Sequence, residues 1–173
     1  MYEAIGSAAA YRLVRDHFAL LAAVVREHDG SVVKTIGDAV MASFTAPCDA
    51  VAAALAVQRR VAEFNRGADG PGITIKLGVH CGPCIAVTLN DRLDYFGSTV
   101  NLAARLQGES VGGDVVLSAE VVADPRVRDL LRGETPVEQS AALRGFTEPV
   151  RIFVWSRPCC RGPRLRRPRR SPG

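Results

Sequence analysis

Two β-prone runs, Val32–Ile36 and Ala39–Phe44, are separated by only Gly37 and Asp38. A two-residue Gly-Asp link between such runs leaves the chain one economical solution, an antiparallel hairpin with Asp38 exposed at its tip. Both flanks of the hairpin read as helix. Upstream, Tyr11, Val14, Phe18, Leu21 and Val25 recur at spacings of three and four, so one face of a helix over 8–28 is apolar. Ser7 is placed to cap that helix and Asp29-Gly30 to end it. Downstream, residues 47–65 carry Val51, Leu55 and Ala62 on one face, and Asn65-Arg66-Gly67 closes the segment before the turn ADGPG. A hairpin bracketed by amphipathic helices commits the chain to a mixed α/β or α+β architecture.

The remainder continues the alternation. In residues 73–80 Ile73, Ile75, Leu77 and Val79 alternate with other residues, the pattern of a half-buried strand. A strand at 85–89 follows a Gly-Pro turn, LDYFG leads into a helix at 98–107, and DVVLS at 114–118 is a short strand. A helix around 119–131 and a closing strand at 150–155 complete the order α-β-β-α-β-β-α-β-α-β. No internal repeat interrupts it.

Composition narrows the function classes. With 173 residues and 47% hydrophobic content the chain supports one globular core, not a disordered or disulfide-scaffold protein. No apolar run approaches the ~18 residues of a membrane helix, and MYEAIGSAAA lacks the pattern of a secretory signal. The formal charge of +4 is misleading, because residues 157–173 hold seven arginines and no acid, which leaves a net −3 on residues 1–156. A mildly acidic body argues against a surface built for specific nucleic-acid recognition. The division expected is a domain over 1–156 and a disordered Arg-rich tail over 157–173. The five cysteines, without a secretion signal, fit a reduced, cytoplasmic protein.

Cys81-Gly82-Pro83-Cys84 has the CxxC spacing of thiol-disulfide oxidoreductases, whose first cysteine is activated at a helix N-terminus. Here the β-prone Ile85–Leu89 follows instead of a long helix, so the tetrapeptide reads as two cysteines at a strand end. A zinc site from His80, Cys81 and Cys84 lacks a second ligand pair outside the tail. Neither a GxGxxG fingerprint nor a phosphate loop ending GK[ST] is present.

Three segments taken together are more specific: VVKTIGDAVMASF (32–44), IKLGVHCGP (75–83) and LDYFGSTVNLAARLQ (93–107). They follow the patterns K-x-x-G-D, G-[VI]-H-x-G and D-x-[FWY]-G-x-x-V-N-x-A-x-R in order. In this the chain resembles the class III nucleotide cyclases, over about residues 2–155. The residue chemistry agrees with nucleotide work. Asn101 and Arg105, four apart on a helix, put an amide and a guanidinium on one face, suited to ribose and phosphate oxygens. Lys34 and Asp94 are the donor and acceptor that a purine edge requires. Asp38 is a hard oxygen ligand of the kind Mg²⁺ takes. Singly, each also fits a plain structural role: an exposed strand lysine, a turn aspartate, a helix pair with acidic neighbours.

The resemblance implies an α+β, ferredoxin-like mixed sheet with flanking helices. It implies conversion of ATP to cyclic AMP and pyrophosphate, by attack of the ribose 3′-oxygen on the α-phosphate. By the same resemblance Asp38 is a metal ligand for Mg²⁺ or Mn²⁺, Lys34 and Asp94 read adenine (ATP ahead of GTP), and Asn101 and Arg105 orient ribose and stabilise the transition state. Arg144, in LRGFTEPV, is the matching grip on the triphosphate. Active sites of the family lie between two cyclase domains, so a homodimer or heterodimer is implied. The family's opening strand, F-x-D-[IL]-x-x-[ST], has no counterpart here, and neither Asp16 nor Asp29 matches its aspartate. The resemblance therefore implies a domain lacking its first strand and one metal carboxylate, with two strand edges open at 39–44 and 73–80. The alternatives are a non-catalytic nucleotide-binding or regulatory module on the same fold and, further off, a thiol-disulfide oxidoreductase.

Overall fold

The computed structural model describes residues 7–67, 72–89 and 92–156. The segment before Ser7, most of the ADGPG turn and the Arg-rich tail, with the boundary drawn at residue 157, lie outside these residues.

Helix α1 (Ser7–Glu27) leads into the hairpin β1 (Gly30–Ile36) and β2 (Ala39–Phe44), whose register runs from Gly30 opposite Phe44 to Ile36 opposite Ala39. Gly37 adopts φ 61 in the turn, a conformation a glycine reaches without a Cβ penalty. A bulge between Val32 and Lys34 breaks the strict alternation of β1, and Val33 and Lys34 are both half-buried. Helix α2 (Pro47–Arg66) begins with proline in its first turn, where the missing N–H costs nothing. Leu21 and Val24 of α1 pack with Ala53, Ala56, Val57 and Val61 of α2, and Val40 and Phe44 of β2 lie against them. Glu27 and Arg60 add a two-point ion pair between the helices.

Strand β3 (Leu77–Val79) is much shorter than the 73–80 that the alternation predicts. Its upstream residues keep the inward side chains, Ile75 being buried, but their backbone groups are bonded mainly to side chains, apart from the Gly113 N–H that donates to the Ile75 carbonyl at 3.1 Å. Asn65 brackets Ile73 through its N–H and C=O, at 2.7 and 2.8 Å, and Gln58 Nε2 donates to the Ile75 carbonyl at 3.2 Å. Then come the hairpin β4 (Ile85–Leu89) and β5 (Arg92–Phe96), α3 (Ser98–Glu109), β6 (Asp114–Ser118), α4 (Ala119–Ala123), α5 (Pro125–Leu130), β7 (Val137–Ala141) and β8 (Val150–Ser156). The helix expected over 119–131 is thus two short helices, divided at Asp124-Pro125, where the residue before proline leaves the helical region and Asp124 caps the second helix.

The main sheet has the order β3-β6-β8-β7, parallel between β3 and β6 and antiparallel elsewhere, which makes it mixed. β1-β2 and β4-β5 are separate two-stranded sheets. β2 and β3 both rest on α2 but are not bonded to each other, so among the described residues the outer edges of both lack a strand partner. These are the two edges that the resemblance leaves open. No helix among the described residues is long and apolar enough to cross a membrane.

Gly78 fixes how closely α3 can lie on β3. A Cβ there would stand 2.2 Å from the Gln107 nitrogen and 2.7 Å from the Ala103 carbonyl oxygen, both backbone atoms of α3. Neither can rotate away, so Gly78→Ala must push helix and strand apart. The expected loss is about 1–3 kcal/mol of stability, read as a lowered urea midpoint with an unchanged m-value. This gives the glycine of the G-V-H segment a physical reason: it lets the helix bearing Asn101 and Arg105 dock on the sheet.

Candidate functional site

Lys34 and Asp94 are sixty residues apart in sequence and meet in space. The Lys34 Nζ donates to Asp94 Oδ2 at 2.7 Å, joining the first hairpin to the β4–β5 hairpin. Asp94 stands opposite Val87 on β5, and its other oxygen accepts the Tyr95 backbone N–H at 2.8 Å, which orients the carboxylate. The Lys34 ammonium lies 5.5 Å from the centroid of the Phe96 ring, within reach of its electron-rich face. The hydrogen bond from Lys34, helped by the Tyr95 N–H, holds the Asp94 carboxyl below its ordinary pKa against a smaller opposing effect of burial. The Asp94 carboxyl is ionised at neutral pH. An ammonium has three donors and a carboxylate about four acceptor positions, so each retains capacity for a ligand.

The next cluster is built on α3. Gly97 enters the helix at φ 130, and Leu102 and Leu106 anchor it in the core with Val116, Leu143, Ile152 and Val154. The positions one residue before Leu102 and one before Leu106 are Asn101 and Arg105, which share the outward side. Asn101 is exposed and Arg105 half-buried, with Arg105 Nη1 donating to the Asn101 carbonyl at 3.3 Å. The Arg105 guanidinium also lies 5.8 Å from the centroid of Phe146. Phe146 closes a turn on Leu143, and the same turn carries the exposed Arg144. The structure therefore brings Lys34 to Asp94 and Arg105 to the turn that holds Arg144, with the Asn101 carbonyl bonded to Arg105.

Asp38 stands apart, exposed at the tip of the first hairpin. Among the described residues no group of three or more His, Cys, Asp or Glu could hold a metal ion. One carboxylate is short of the ligand set a resident divalent pair needs, so the described residues do not fit such a centre. A divalent metal site is a general feature of the cyclase fold, and Asp38 is the one expected ligand that the described part supplies.

The CGPC segment is irregular and runs into β4, not a helix. Burial, with Glu120 and Asp124 nearby, pushes the Cys81 thiol pKa up, the opposite of what an attacking thiolate needs. Thr99 of α3 donates to the Pro83 carbonyl at 2.5 Å, which ties this segment to the start of the helix. His80 Nδ1 is 2.8 Å from Ser118 Oγ, and burial lowers the pKa of the ring despite Glu120 at 3.6 Å. Both residues read as structural here.

Sequence reasoning missed Phe96 and Phe146, the aromatic rings against the two cations. The available signal was local: each aromatic adjoins a glycine in a segment already singled out, DYFG and LRGF.

Known proteins resemble this chain in sequence and fold. Residues 1–144 match the family model described as the adenylate and guanylate cyclase catalytic domain. Adenylate cyclase 1 of Rhizobium meliloti (strain 1021) is 35% identical over 127 residues, covering 64% of this chain and 19% of that protein. The chain thus spans about a fifth of this curated relative. The crystal structure of the adenylyl cyclase CyaB from P. aeruginosa superposes with a TM-score of 0.71 at 25% identity, over 90% of this chain and 86% of the other. The guanylate cyclase domain of RhGC from Catenaria anguillulae, solved in complex with GTP, gives 0.70 at 21% identity, over 88% and 86%.

Proposed function

The chain belongs to the adenylate and guanylate cyclase catalytic domain family, and from that membership we propose that it binds ATP, in preference to GTP, and cyclises it to cyclic AMP. The observation that carries this reading is the Lys34–Asp94 pair, a cation and an anion held 2.7 Å apart from two different hairpins. Adenine offers an acceptor at N1 beside a donor at N6, which such a pair answers with one bond each. Guanine inverts the order of donor and acceptor on that edge, so a Lys34–Asp94 pair that meets adenine at N1 and N6 would be mismatched to guanine.

Asn101 orients the ribose and Arg105 meets the α-phosphate. In the reaction a bond forms between the ribose 3′-oxygen and the α-phosphorus, the bond from that phosphorus to pyrophosphate breaks, and the 3′-hydroxyl proton is released. Charge gathers on the non-bridging oxygens as this happens, and a guanidinium fixed nearby stabilises it. Arg144 supports the leaving phosphates. Asp38 is the carboxylate available to a divalent ion, Mg²⁺ or Mn²⁺, travelling with the nucleotide.

A second cyclase domain completes the site in this reading. Ile36 on β1, Ile85 on β4, and Leu93 and Phe96 on β5 are exposed, an apolar surface suited to a second copy or a related domain. Sedimentation velocity across a concentration series reads self-association directly. A domain that uses ATP is expected in the cytoplasm, and this location belongs to the same proposal.

Asp38, the one expected metal ligand among the described residues, favours one competitor, a module that binds nucleotide without turning it over. Incubating the chain with ATP and Mg²⁺ or Mn²⁺, and following cyclic AMP together with nucleotide binding, separates the two. Product formation that depends on the metal supports the cyclase. Binding without product supports the module, and no binding of either purine triphosphate removes both.

A further inference from the structure

The turn formed by residues 143–146 lies against Arg105. Leu143 is buried beside Leu102 and Leu106, which seats the turn on α3. The Phe146 N–H closes it onto the Leu143 carbonyl at 3.1 Å. Gly145 holds φ +85, and a Cβ there would lie 3.3 Å from Arg105 Nη2. The positive φ favours glycine here, and the backbone lies beside the guanidinium. The Phe146 ring centroid lies 5.8 Å from the Arg105 guanidinium carbon and offers it a π-face, while the Asn101 carbonyl offers it an oxygen. The ring is 38% exposed and is not among the residues of the core cluster that Leu143 joins. A large aromatic left at the surface against one cation is poorly explained by core packing.

We propose that Phe146 is a positioning residue for Arg105: its ring and the Gly145 backbone set the guanidinium before the nucleotide arrives. This rests on the reading of Arg105 as the phosphate-facing cation. An arginine side chain loses much rotamer freedom when it is fixed on a ligand. A ring that restricts it in the free protein moves that cost out of the binding step, the general route by which pre-organisation raises affinity. The ring makes no contact with the substrate in this scheme and acts only through Arg105.

The full chain labelled with ¹⁵N tests this without any need for turnover. The Arg105 Nε–H signal, assigned by its loss in Arg105→Lys, should be displaced by the ring current in the wild-type chain. Phe146→Leu should return it to the position of a free arginine, while Phe146→Tyr should keep it displaced. Binding of a fluorescent ATP analogue should weaken about two- to fivefold in Phe146→Leu and stay within about twofold in Phe146→Tyr. In an Arg105→Ala background Phe146→Leu should have no further effect. An unmoved Arg105 signal in Phe146→Leu overturns the proposal. So does an equal loss of affinity with and without Arg105, because the ring would then act by another route. If the wild-type chain shows the displaced signal yet binds no nucleotide, the nucleotide reading fails and the holding contact stands.

Discussion

Asp94→Ala should weaken ATP binding about ten- to a hundredfold while leaving the melting temperature close to that of the wild type. The carboxylate accepts from Lys34 and from the Tyr95 N–H, and the ligand would add a further bond to a charged group, the stronger kind of hydrogen bond. Its removal also frees the Lys34 ammonium from the geometry that faces the base. Stability changes little because the pair is partly exposed, and exposed pairs contribute little. Asp94→Asn is the sharper variant: it keeps shape and an acceptor but adds a donor, so discrimination between ATP and GTP should fall more than affinity does. The acid side has a definite sign. Asp94 has a folded-state pKa below its ordinary value, so the link is intact above the normal carboxylate range and is lost only as pH falls through the lowered value. Following the carboxyl carbon of Asp94 by NMR during acid titration should show it ionised below the pH at which free aspartate protonates. Affinity and base preference both unchanged in Asp94→Ala would remove this residue from the site.

What was legible in the sequence is what local chemistry dictates. The hairpin could be read because Gly37-Asp38 leaves no room for another link. The face of α1 could be read from Leu21 and Val25, both buried, and β6 from DVVLS, whose five residues are all buried. Strand β5 could not be read as such: Asp94 and Gly97 are turn formers, and Arg92–Phe96 is a strand because β4 pairs with it from Ile85 opposite Phe96 to Leu89 opposite Arg92. Strand β7, VEQSA, has little β propensity of its own and is made by β8 beside it. The overlong reading of 73–80 has the converse cause. The side-chain alternation was right, but pairing is a property of the neighbour, and at Ile73 and Ile75 the partners are the amides of Asn65 and Gln58 and the single N–H of Gly113. The site divides the same way. Asn101 and Arg105 share a face by helical arithmetic, whereas the meeting of Lys34 with Asp94 and of Arg105 with Phe146 depends on how separate elements are placed.

Arg105→Ala should lower cyclic AMP formation by about 10²–10³-fold, with a smaller change in KM, the magnitude that follows removal of one fixed donor from a site of developing negative charge. Arg105→Lys should recover only part of this, because a point charge on a flexible stem does not reproduce a planar fork held between the Asn101 carbonyl and the Phe146 ring. The prediction has a form that needs no turnover. Adenosine carries the base and ribose but no phosphate, so Arg105→Ala should weaken ATP and leave adenosine binding unchanged, whereas Asp94→Ala should weaken both. Isothermal titration of the two ligands against the two variants therefore separates a base-reading half, on the paired hairpins, from a phosphate-reading half, on α3 and the turn at 143–146. If Arg105→Ala weakens adenosine as much as ATP, its guanidinium is not facing phosphate, and the division of the site between hairpins and helix fails with it. The physical reason to expect the division is that the two halves are anchored independently. Lys34 and Asp94 are fixed by strand pairing within two small sheets, and Arg105 by Leu102, Leu106 and Leu143 in the core of the main sheet. A substitution in either half leaves the anchor of the other in place, so the two losses should combine additively in the double variant.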